Sequence, residues 1–72
     1  MTPQHDLRTP DGILHTALEK ETQARDFYAG LAAHCTVDFV KELLEKLEDE
    51  ETKHMHLIQS MLERLESGRD IV

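Results

Sequence analysis

Three side chains able to bind a metal stand where a helical sequence should place hydrophobic ones. In the second half of the chain, apolar residues recur at Val40, Leu44 and Leu47 and again at Ile58, Met61 and Leu65, in steps of three and four that gather them on one face of a helix. Carrying the same rhythm across the gap lands on Glu51 and His54, one helical turn apart and pointing inward with the rest of the seam. The first half behaves alike: Leu14, Ala17, Ala24, Leu31 and Cys35 form its seam, interrupted at the middle by Glu21 and Tyr28. A carboxylate in a helical core costs several kcal/mol unless it is paired. No basic residue shares either seam, because Arg25, Lys41, Lys46, Lys53 and Arg64 count onto other faces. A cation from solution is the natural countercharge. Oxygen and imidazole donors suit iron or manganese, and zinc held structurally is a further reading.

The elements that must carry these residues are two helices. Residues 1–8 show no periodicity and read as a loose lead. Thr9-Pro10-Asp11 then supplies a capping side chain, a proline at the first helical position and an acid in the first turn. The first helix is expected over about residues 10–34, with Gly30 tolerable near its end. Thr36 is a second capping candidate, and a helix of about residues 37–66 follows before Ser67-Gly68 and a short tail. At ~1.5 Å per residue these are rods of about 37 and 45 Å, and a short turn forces them antiparallel. Glu21 and Glu51 each lie about 15 residues from a turn centred near 35–36, so they meet at one level. The whole chain, 1–72, reads as one domain.

A single hairpin leaves its apolar stripe facing water, so a second copy is expected to cover it and complete a four-helix bundle. Two-fold pairing doubles the set to four Glu and two His, the inventory of a carboxylate-bridged two-metal centre. Four carboxylates then balance two divalent ions. At 72 residues the chain is short enough to need such a staple of metal or partner. Cys35 is the only cysteine, so no intrachain disulfide supplies one, and a reducing cytoplasmic setting fits. With 8 Lys and Arg against 15 Asp and Glu and a net charge of -7, there is no basic stripe to hold nucleic acid. No apolar run approaches the ~20 residues that span a bilayer, so no membrane is expected either.

These motifs resemble the ferritin-like superfamily, in which one helix carries Glu-x-x-Ala-x-x-x-Tyr and its neighbour Glu-x-x-His. Here the first reads Glu21, Ala24 and Tyr28 within ETQARDFY, similar to the rubrerythrin form, and the second reads Glu51 and His54 within DEETKH. A chain of two helices rather than four more closely resembles the encapsulated ferritin group, whose half-bundles dimerise around iron. Lys20 and Gln23 depart from that group, standing where it tends to carry further carboxylates. The resemblance implies an all-α hairpin that dimerises into a ferritin-like bundle, as a homodimer or a larger ring of dimers. It implies two irons per dimer held by Glu21, Glu51 and His54 with Tyr28 beside them, and a ferroxidase oxidising Fe(II) for storage or detoxification, in the cytoplasm or inside an encapsulin shell. Manganese or zinc are possible substitutes.

Blander readings accompany these. Tyr28 is either core packing or a hydrogen-bond donor to a ligand carboxylate. His5, His15, His34 and His56 read as solvated, Glu48-Asp49-Glu50 as a solvated face, and Cys35 as a small buried apolar residue. The alternative function is a non-enzymatic helical assembly module, or a structural Zn/Mn-binding one, whose polar layer fixes register.

Overall fold

In the computed structural model, which describes residues 5–68, the chain is two antiparallel α-helices. Helix α1 spans Pro10–His34 and α2 spans Asp38–Ser67. Thr9 caps α1, its hydroxyl oxygen accepting from the Gly12 amide at 3.0 Å, with Pro10 at the first helical position and Asp11 in the first turn. The second start differs from expectation. Thr36 lies outside the helix, and Val37, whose side chain cannot cap, occupies the N-cap. Residues 35–37 form an extended connector just long enough to reverse the chain, which leaves Asp38 and the helix dipole to stabilise this end. Cys35 belongs to this connector and is only partly buried, its thiol directed at the Val37 carbonyl 3.6 Å away, so the expectation of a buried apolar residue is corrected.

The hairpin is a slab 52 × 28 × 13 Å, one helix thick. Ala32 is the single buried hydrophobic residue among those described, at 5% exposure. It is not on the seam expected for α1. Heptad counting centres that seam on Glu21, the direction facing the middle of a four-helix bundle, whereas the line of closest approach to α2 alone falls about one residue over, where alanine lets the helices close. The accessible surface is 5757 Å², against about 4,600 Å² for a compact monomer of this mass.

Ile13, Phe27 and Leu31 on α1, and Phe39, Leu43, Leu57 and Leu65 on α2, are all exposed, Phe39 by 75%. Helical spacing puts each set on one flank of its helix, and antiparallel packing turns both flanks toward the same broad face of the slab. The other face is polar, carrying His15, Glu19, Thr22, Glu45, Asp49 and Thr52.

The described part of the lead, residues 5–8, is not loose. The Asp6 carbonyl accepts from the Thr9 amide at 3.2 Å and from its hydroxyl at 3.0 Å. Gly12 is buried beneath it, and a Cβ there would collide with the Asp6 carbonyl. Gly12→Ala is therefore expected to lift residues 5–8 off α1 while leaving the helix intact, seen as faster amide exchange at Thr9 with unchanged far-ultraviolet circular dichroism. Residues 1–4 of the expected lead, and the tail after Gly68, lie outside the described residues.

Candidate metal centre

Glu21 sits in the middle of α1, and Glu51 and His54 in the middle of α2, on the sides of the two helices that lean toward the apolar face. Their donor atoms all lie within 4.8 Å of one another, and among the described residues they are the one group of three metal-ligating side chains so gathered. His54 Nδ1 is 3.0 Å from Glu21 Oε2 and 3.8 Å from Glu51 Oε2. The spacing explains the meeting. Glu51 and His54 are one turn apart on α2, while the three-residue connector sets the register that brings Glu21 across from them. Glu51 is the most covered of the three, its side chain 17% exposed. His54 is 55% exposed, so it does not point fully inward as the heptad count suggests. It lies at the edge of the seam, on the open face.

Among the described residues, no lysine or arginine pairs with either glutamate. The two carboxyl groups instead share a hydrogen bond, and this is the main reason that Glu21 is pulled below the usual carboxylate range, with the His54 contact adding to it. The same bond pushes Glu51 up, helped by partial burial and the Glu21 charge. Glu51 is thus the more readily protonated of the two and Glu21 the more readily ionised. Such a pair is short of positive charge, which a bound cation would supply. With an imidazole beside them the donor set is one that iron or manganese fits.

Proton linkage has a definite sign here. The depressed Glu21 contributes stability that is present above its ordinary 4.5 and lost as pH falls through its lowered value. The raised Glu51 contributes stability that is present below 4.5 and lost as pH rises through its raised value. The metal-free pair is therefore most stabilising in the mildly acidic window between the two values, and weaker at neutral pH. Loading with metal should release the Glu51 proton and reverse this trend, so that affinity falls as pH drops through the raised range of Glu51. Calorimetric metal titration in buffers of different ionisation enthalpy reads the released proton directly.

Tyr28 is half-buried on the same flank of α1 as Glu21, its ring tilted against Phe27 with centroids 5.6 Å apart. Among the described residues its hydroxyl makes no hydrogen bond to Glu21, Glu51 or His54. His34 and His56 are exposed and stand apart from the centre. His5 departs from the solvated reading, since it is partly buried against Glu19. Glu21 and Glu51 meet as their equal distance from the turn predicts, whereas the opposite shifts of their two carboxyl groups went unseen in the sequence.

A helical hairpin bringing two carboxylates and an imidazole together at mid-height has the donor arrangement of a ferritin-like hairpin. The family comparison agrees: the rubrerythrin family model matches residues 12–72, and the chain belongs to that family of iron-binding, ferritin-like proteins. Comparison with curated proteins and with solved structures gave no match. No helix among the described residues is long and apolar enough to cross a membrane.

Proposed function

We propose that this chain is half of a ferroxidase: two copies pair through their apolar faces and bind two Fe²⁺ as substrate at a shared centre, for iron storage or detoxification. The observation that carries the reading is the convergence of Glu21, Glu51 and His54, their donor atoms within 4.8 Å of one another, in the middle of an exposed apolar face. Pairing across that face doubles the set to four carboxylates and two imidazoles, matching the charge of two divalent ions. It also removes His54 and the apolar flank from water. The surface excess of roughly 1,100 Å² over a compact monomer is of the size one partner contributes to a stable interface, about 800 Å² or more.

In this reading, Glu21 and Glu51 bind and bridge the ferrous ions, and His54 completes the coordination of each. Glu51 gives up its proton on loading. Two Fe²⁺ supply one electron each to O₂, which with two protons leaves as hydrogen peroxide; peroxide as oxidant is the other option. The redox chemistry belongs to the iron and the oxidant, while the protein supplies positioning and a dry, charge-balanced cavity. Tyr28, half-buried on the Glu21 flank of α1, would border that cavity.

Anaerobic Fe²⁺ titration of the metal-free protein, followed by air, tests the proposal. Binding of about one iron per chain, metal-promoted pairing and a transient ferric absorbance are expected. A stable dimer that takes up no iron would favour the alternative, a helical assembly module with a polar layer for register. A centre that binds zinc or manganese without oxidising Fe²⁺ would favour the structural metal-binding form.

A further inference from the structure

A second set of donor groups lies on the polar face, away from the centre. His5 Nε2 is 2.7 Å from Glu19 Oε2, and both side chains are partly buried, at 27% and 41% exposure. The His5 ring stacks on His15, with centroids 5.1 Å apart and planes at 25°. His15 and Glu19 are four residues apart on α1 and so share a face of the helix. The His15 ring is held from behind: its Nδ1 lies 3.0 Å from the Asp11 carbonyl oxygen. A carbonyl only accepts, so Nδ1 carries the hydrogen, and in the neutral ring Nε2 is left with its lone pair.

We propose that His5, His15 and Glu19 form a second divalent-metal site, for zinc or a similar borderline transition ion, which staples residues 5–8 to α1. The ion takes the place of the proton shared by His5 and Glu19. Two nitrogens and one carboxylate oxygen, with water as the fourth ligand, are a tetrahedral zinc donor set. The three donors do not yet converge on one point; closing the set on one ion requires the His15 side chain, 42% exposed, to leave its Asp11 hydrogen bond and its stack on His5. The backbone is already in place, because the Asp6 carbonyl is tied to Thr9 and seated over Gly12. A chain with a single buried hydrophobic residue among those described gains from such a staple. The proposal does not depend on the ferroxidase reading.

Zinc alone, titrated calorimetrically into full-length Glu21→Ala protein, isolates this site from the centre. One zinc per chain is expected to bind in that background, with the His5 and His15 ring resonances shifting together and amide exchange slowing at Leu7, Arg8 and Thr9. His5→Ala and His15→Ala should each weaken binding at least tenfold, and His56→Ala should leave it unchanged. Should an alanine variant lose helicity, His5→Gln or His15→Gln replaces it. The site is refuted if Glu21→Ala protein binds no zinc, or if its zinc uptake survives both histidine substitutions.

Discussion

Glu21→Ala is expected to abolish stoichiometric Fe²⁺ binding and to lower the rate of Fe²⁺ oxidation at least 100-fold, while the helices still pair. Removing Glu21 takes away the ionised half of the carboxyl pair and the closest partner of His54. In the proposed dimer each substitution counts twice, so the centre keeps two carboxylates for two divalent ions and is left with an uncompensated charge of +2 in a dry cavity, which costs several kcal/mol. The loss of 100-fold corresponds to about 2.7 kcal/mol, well inside that cost. Pairing responds in the opposite direction. In metal-free protein a crowded acidic layer opposes assembly, and alanine relieves it, so the variant should dimerise as tightly as the parent or more so. Stopped-flow oxidation with sedimentation on the same samples reads both effects. Unchanged oxidation would remove Glu21 from the centre, and a variant that lost both pairing and oxidation would show a structural role only.

Leu31→Glu should have a comparably large effect, on assembly. Leu31 is 44% exposed in the hairpin and lies on the same flank of α1 as Ile13, so a charged side chain there is solvated while the chain is alone. Covered by a second copy, the same carboxylate becomes a buried charge without a partner. A penalty of about 3 kcal/mol or more follows, which raises the dissociation constant at least 100-fold. Because the centre is proposed to be shared, iron oxidation should fall in parallel and recover at high protein concentration. Leu31→Met, which keeps the volume and the apolar character, should pair normally. If Leu31→Glu protein pairs and oxidises iron as the parent does, the apolar face is not the interface.

The stability of so thin a hairpin has the same origin as its chemistry. One buried hydrophobic residue cannot offset the conformational entropy of fifty-five helical residues, the sum of 25 and 30. The side of the molecule that lacks cover is also the side on which the carboxylates converge. Metal and partner are thus expected to contribute to folding itself, and chelation should lower the unfolding temperature of the assembled protein.

Much of this was written in local sequence. Thr9-Pro10-Asp11 and the unbroken runs after it mark where helices can start and continue, and the seam interruptions at Glu21, Glu51 and His54 mark the chemistry, because helical periodicity depends only on residue spacing. Other features required the chain to come together in space. Val37 rather than Thr36 caps α2, since the length of the reversal, not the capping preference of one residue, sets where the helix begins. Ala32 rather than Leu31 or Cys35 lies at the closest approach, since a seam counted for four helices is off-centre for two. The opposite shifts of the Glu21 and Glu51 carboxyl groups, and the folding of His5 onto Glu19, arise from distances between residues 30 and 14 positions apart. Spacing along one helix cannot encode such distances, because they depend on how separate segments of backbone lie against each other.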